Sequence, residues 1–400
     1  MAILTAGTRS EGLSAIAAAG KDDIVRLGSI TMGSLLNGTP IAKGVTIEGG
    51  YFTKIQGDWS KVTFRNPTVR PNGIGYNTTA VILRGDDCTI HNPDIDCRDG
   101  SLWTARDWTQ RSTGGIMFYG SGCQVLGGAM YAVRTGAVAQ HSSRGARFEG
   151  LSIMGICGDA FRANGNGTRI ALCRVTDTWG VDGNHDDMVQ AFALDPSTGT
   201  VTKSMTHSVD DVQIVGNEFY SCDDPANEIW TRTAEPGPIN LDAPPLISAG
   251  QGIWMGDGAP RNWLVDGNLL VLTPWKHGIS LGHAVNCTVT NNRVINGNSN
   301  FRGRILRIFV QRGNNNKVTG NEAPVIASGW AGNLEIPPSD YDQQYMDPAA
   351  FDFRPKGSGP KPVPTPTPEP TPEPHESELS QLRRELRQLT GRVAALENKM

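Results

Sequence analysis

The chain has 400 residues, of which 38% are hydrophobic, 19% charged and 48 glycine, and its formal net charge is −4. That length can bury a large core and still carry appendages. The near-neutral charge argues against a nucleic-acid binder with its basic stripe and suits neutral glycans better than polyanions, and no apolar run of about 18 residues is present to insert into a membrane.

Residues 1–40 show no repeat pattern, and the apolar run in residues 1–20 lacks a basic lead-in and is broken by Gly, Ser, Arg and Glu. It does not read as a secretory signal. The expected role of 1–40 is attachment or capping, because the open end of a strand stack needs a cover.

From 41 to 335 one segment type recurs. Residues 44–52 (GVTIEGGYF) and 61–69 (KVTFRNPTV) are early copies, followed by CTIHNPDI at 88–95, CQVLGGAM at 123–130, VQIVGNEF at 212–219, WLVDGNLL at 263–270 and CTVTNNRV at 287–294. Each copy has alternating apolar positions and then a Gly or Asn corner, which suits tight bends in left-handed backbone. Asn217, Asn268, Asn292 and Asn321 hold one place in successive copies and are expected to stack their amides. A second segment type precedes most copies: 114–118, 135–139, 159–163, 187–191, 251–255, 277–281 and 304–308. Repeats of about 21–29 residues with several short strands each predict an all-β parallel β-helix solenoid. Leucine-rich repeats would need leucine ladders that are absent, and propeller blades would need about 40–50 residues. Two runs, 95–113 and 221–250, break the period and are expected to project as loops; Trp103, Trp108 and Trp230 within them are candidate sugar platforms or buried anchors. The seven cysteines have no CxxC pairing or zinc spacing, so buried free thiols and no metal site are expected.

Residues 336–375 include a stiff proline-rich spacer at 360–374. In 376–400, Leu379, Leu382, Leu386, Leu389, Val393, Leu396 and Met400 follow 3-4 spacing, which predicts a coiled-coil oligomerisation helix.

For chemistry, the start of the second segment type aligns Gly114, Thr135, Asp159, Asp187, Gln251, His277 and Arg304. Coils stack about 4.8 Å apart, so Asp159 and Asp187 are expected as neighbours able to share a proton, bind a cation or divide acid and base roles. Residues 181–190 add His185 and Asp186 beside Asp187, a proton-exchanging set that could equally be a polar turn. The candidate catalytic residues are thus Asp159, His185, Asp186 and Asp187. Arg162, Gln190, Trp254 and Arg307 are expected in one outward column that follows a bound glycan; with His277 and Trp230 they are the candidate binding residues. No cofactor is expected; Asp223, Asp224 and Glu228 are an open alternative for Ca2+, without EF-hand spacing.

Residues 44–323 resemble the pectate-lyase-like right-handed β-helix superfamily, and NHDDMVQ at 184–190 is similar to a His-Asp-x-Ile-Gln segment of some polysaccharide-active members, with Asp186 intervening. No calcium triad or arginine base of the lyases is recognisable. The order of elements also resembles phage tailspikes, receptor-binding fibres and gene-transfer-agent spikes. The resemblance implies a virion-borne spike acting extracellularly on a surface polysaccharide, with or without cleaving it as a depolymerase, assembled as a trimer and joined to its particle through 1–40. A stand-alone polysaccharide lyase or glycoside hydrolase, and a non-catalytic structural spike component, are the competing readings.

Overall fold

The computed structural model describes residues 1–71, 78–98, 101, 103–181, 186–223, 240–247, 250–273, 277–297, 305–311, 314–327, 329–350 and 352–356. The heptad segment 376–400, the proline-rich spacer, His185, Trp230, Asp224, Glu228 and Arg304 lie outside them.

Short strands pair in parallel with the coil before and the coil after, forming three faces of a β-helix. The first face runs through Thr79–Leu83, Gly114–Phe118, Ala137–Ala139, Phe161–Ala163, Val189–Phe192, Ile253–Asp257, Ile279–Leu281 and Arg307–Val310. The second face carries the three-residue strands from Thr63–Arg65 to Lys317–Thr319, and the third runs from Thr68–Val69 to Leu334–Glu335. Stacking begins earlier than the sequence pattern suggests, because Ile24–Leu35 already pairs in parallel with Thr46–Gly57. The helix Arg9–Ala18 packs on that first coil and buries Ile16 completely. Its start is fixed by a capping box in which Thr8 and Glu11 satisfy each other's backbone amides.

Alternation along each strand sends one set of side chains inward. Phe118, Phe148, Phe161 and Phe219 line up inside, with ring centroids 5.5, 6.0 and 6.4 Å apart. Each ring taken from water contributes about 1.5–3 kcal/mol. All seven cysteines are free and buried. The Cys88, Cys123, Cys173 and Cys287 thiols donate to main-chain carbonyls of the preceding turn.

The corner between the second and third faces repeats one left-handed residue per coil: Asn66, Asn92, Gly127, Gly150, Leu172, Gly216, Gly267, Asn291 and Gly320. Leu172 departs from the Gly/Asn rule and is 72% exposed; nothing in the structure explains it. Just past this corner the asparagine stack forms as expected. Asn217 Nδ2 donates to Asn268 Oδ1 (2.8 Å), Asn268 to Asn292 (2.8 Å), and Asn292 to Asn321 (2.9 Å). The stack extends one rung further than expected, to Asn333 (2.8 Å). Each oxygen also accepts a backbone amide, as Asn268 Oδ1 does from Asn217 N–H (3.0 Å).

The third face is capped on its outer side by a second apolar cluster, in which Ile336, Tyr341, Tyr345 and Phe353 cover Tyr220, Val271 and Ile295. The ladder makes a definite demand. Asn268→Ala, which strands buried partners on both neighbouring coils, is expected to lower unfolding free energy by about 2–3 kcal/mol, read by urea denaturation. An unchanged midpoint would contradict the ladder's structural role.

Candidate functional site

On the first face the strand register sets the site. Ala137 pairs with Ile116 and with Phe161, Phe161 with Val189, Val189 with Ile253, and Ile253 with Ile279. Counting two residues back aligns Gly114, Thr135, Asp159, Asp187, Gln251 and His277, as the sequence pattern predicts. The seventh place differs. Ile279 pairs with Ile308, so Leu306 follows His277, and Phe309, not Arg307, lies beside Ser280. Arg307 is displaced from the outward column by two residues. Its Nε–H instead donates to His277 Nδ1 (3.3 Å).

Asp159 and Asp187 are neighbours on adjacent coils, but neither faces a groove. Both are wholly buried, and Asp186 is 2% exposed. The reason is parity: Asp159 precedes inward Phe161 by two residues, and Asp187 precedes inward Val189 by two. Each carboxylate then makes the same pair of bonds. Asp159 Oδ1 accepts Asp187 N–H (3.1 Å), and its Oδ2 accepts Arg162 Nε–H (2.6 Å). Asp187 Oδ1 accepts Gln251 N–H (3.1 Å), and its Oδ2 accepts Gln190 Nε2–H (3.2 Å). The two acids are therefore braces, each tying its coil to the next and fixing the side chain three residues on. Asp186 sits under Gly250, where a Cβ would lie 1.5 Å from the Asp186 carbonyl oxygen, so no residue with a side chain fits there.

The outward column comprises Met117, Val138, Arg162, Gln190, Trp254, Ser280 and Phe309. At its N-terminal part a cleft of about 260 Å³ is lined by Thr78, Thr79, Gly114, Gly115, Ile116, Met117, Arg134, Thr135, Val138 and Arg162. Bare glycine backbone at 114 and 115 forms part of its wall. Sequence reasoning missed Arg134, Thr79 and Met117; alignment of Thr135 with Gly114 was the available clue to their closeness. Further along, Trp254 is half-buried over Gly256 and continues the column.

On the other flank the two tryptophans left open between sugar platform and buried anchor are anchors. Trp103 and Trp108 are 8% and 6% exposed and pack edge to face at 5.1 Å, so they anchor the loop from inside and offer no sugar platform. Trp108 also packs against Trp179 at 6.4 Å. The two interruptions of the repeat meet here: Ala105 and Arg106 N–H donate to the Ala243 and Leu241 carbonyls. Ala132, Gly155 and Asp177 form a left-handed bend in register on the third face. Burial, reinforced by the nearby Asp223 charge, pushes the Asp177 carboxyl up to about 6. Asp223, a candidate calcium ligand, bonds to Arg174 (3.2 Å). Among the described residues no cluster of three metal-ligating side chains occurs.

The braces are testable by stability. Asp159→Ala and Asp187→Ala are each expected to cost about 2–3 kcal/mol, because buried donors lose their acceptor; denaturation midpoints equal to the parent's would rule out the bracing role. Asp177 carries a sign of its own. Its folded pKa lies above the unfolded carboxylate value, so its contribution is full below about pH 4 and lost as pH rises through about 6. Asp177→Asn is therefore expected to gain about 2–3 kcal/mol on the parent between pH 4 and 7. A stability difference that does not vary with pH would refute that assignment.

No protein-family model matches the chain, and no curated protein matches it at a significant level. Among solved structures it is similar to the Dettilon tailspike protein, at 13% identity and a TM-score of 0.40, over 80% of this chain and 64% of that one. It is also similar to an alginate lyase from Paenibacillus, at 12% identity and a TM-score of 0.33, over 83% of this chain and 98% of that one. An alpha-1,3-glucanase catalytic unit from Streptomyces thermodiastaticus matches at 14% identity and a TM-score of 0.38, over 83% and 67%. The chain thus spans less than two thirds of the tailspike's length. These likenesses are of fold alone, and the parallel β-helix is established by the strand pairings themselves.

Proposed function

We propose that this protein is a spike or fibre component that holds a host surface polysaccharide along the first face without cleaving it at the aspartate column. One observation carries this reading. Asp159 and Asp187, the carboxylates of the aspartate column, are buried and bonded on both oxygens, while the side chains they fix, Arg162 and Gln190, lie in the outward column. An enzyme of the two-carboxylate type needs both groups at the substrate; a binding face needs donors and an aromatic surface held in fixed positions. Arg162, Gln190 and Trp254 supply these on three successive coils.

The heptad pattern of 379–400 supports self-association, with three copies proposed, and the segment 1–40 is proposed to join the particle. Among the described residues no helix is long and apolar enough to cross a membrane. The site of action proposed is the particle's outer surface.

The test is incubation of the full chain with purified capsular and lipopolysaccharide glycans. Binding is read by biolayer interferometry, product size by chromatography, and unsaturated ends by ultraviolet absorbance. Binding with unchanged polymer length is expected, and Trp254→Ala or Gln190→Ala should weaken it by about tenfold. Polymer shortening abolished by Asp187→Asn would overturn the non-catalytic reading. Failure of the full panel to bind would overturn recognition itself.

A further inference from the structure

The whole-chain charge of −4 suits neutral glycans, but the cleft on the first face has a different local character. Every titratable side chain among its described lining residues is an arginine. We infer that this cleft is a subsite for an anionic sugar, whose carboxylate lies against Arg162 and Arg134; the inference rests on the glycan-binding reading above.

The geometry of Arg162 supports it. Asp159 is wholly buried behind the arginine, whereas the Arg162 side chain is 34% exposed. What the ion pair shows to the cleft is therefore its cationic end. The Nε–H is committed to Asp159, which fixes the plane of the guanidinium and turns its two terminal amino groups into a pre-set fork. A carboxylate meets such a fork with two parallel bonds, in a way that a neutral hydroxyl does not. Arg134 adds a second cation on the adjoining wall, and Thr79 and Thr135 add hydroxyls able to serve the sugar's own.

Size and depth agree. About 260 Å³ lies below the roughly 300–1,000 Å³ of sites for drug-sized ligands and suits a sugar ring with its substituent. The depth comes from absent side chains: a Cβ on Gly114 would lie 2.9 Å from Thr79 Oγ1. Bonding of Asp187 N–H to the same Asp159 carboxylate means that the anion subsite is held by the brace that registers the coils.

The experiment measures binding of the full chain to hyaluronan, polygalacturonate, alginate and colominic acid, each beside its carboxyl-reduced counterpart. At least one acidic polymer is expected to bind tenfold or more tightly than its reduced form. Arg134→Ala and Arg162→Gln should each erase most of that difference, lowering the acidic polymer's affinity more than that of the reduced one. Arg147→Gln, on the second face, controls for a general loss of charge and should change neither. Reduced and acidic forms bound equally well would overturn the anionic subsite and leave recognition standing. No binding to either form of any polymer would overturn both. A preference that survived both cleft variants would place the anion elsewhere and overturn the assignment.

Discussion

Amide groups of one coil bind carbonyls of the coils on either side of it, and that register decides which residues are neighbours along each face. Once Phe161 pairs with Val189, Asp159 must stand over Asp187, and Arg162 over Gln190. Parity then assigns the first pair to the interior and the second to the surface. A buried carboxylate is costly unless its oxygens are bonded. The fold meets that cost with the next coil's amide on one oxygen and the outward residue three places on with the other. The asparagine ladder solves the same problem with neutral groups at another corner.

The division of labour between faces follows from what covers them. The outer side of the third face is sealed by Tyr341, Tyr345 and Phe353, whose rings pack edge to face at 5.6–6.0 Å. The second face presents charged pairs, such as Arg147 and Arg169 on Glu149, each of small energetic worth at an exposed surface. The first face combines a cleft, a fixed arginine, an amide and a tryptophan in one line. Its rigidity is supplied from below by the buried aspartates, so the proposed binding would cost these side chains little conformational freedom.

Much of this was legible in the sequence, for a physical reason. Gly and Asn recur at the corners because the left-handed bend admits few others, and alternating apolar residues recur because one side of each strand is buried. Those two patterns located the coils and the alignment from Gly114 to His277. The alignment slipped by two residues at the next coil, which placed Arg307 where Phe309 stands. Burial of Asp159 and Asp187 was implicit in the alternation that put Phe161 and Val189 inward, but acidic residues near a histidine suggested chemistry instead. Trp103 and Trp108 stayed open between platform and anchor because composition cannot tell a loop's outside from its inside. The cleft itself had no sequence signature: Thr79, Gly114, Arg134 and Arg162 are scattered over four coils and meet only through stacking.

Hydroxyl-radical footprinting tests whether the strand register assembles one continuous recognition column on the first face. Met117, Trp254 and Phe309 are oxidisable and lie in that column, whereas Leu172, Met205 and Met346 are exposed elsewhere at 72%, 57% and 44%. With a saturating bound polysaccharide, slowed oxidation of Met117 and Trp254 and unchanged rates at Leu172, Met205 and Met346 are expected. Protection of the second group with Met117 and Trp254 unaltered would contradict that column.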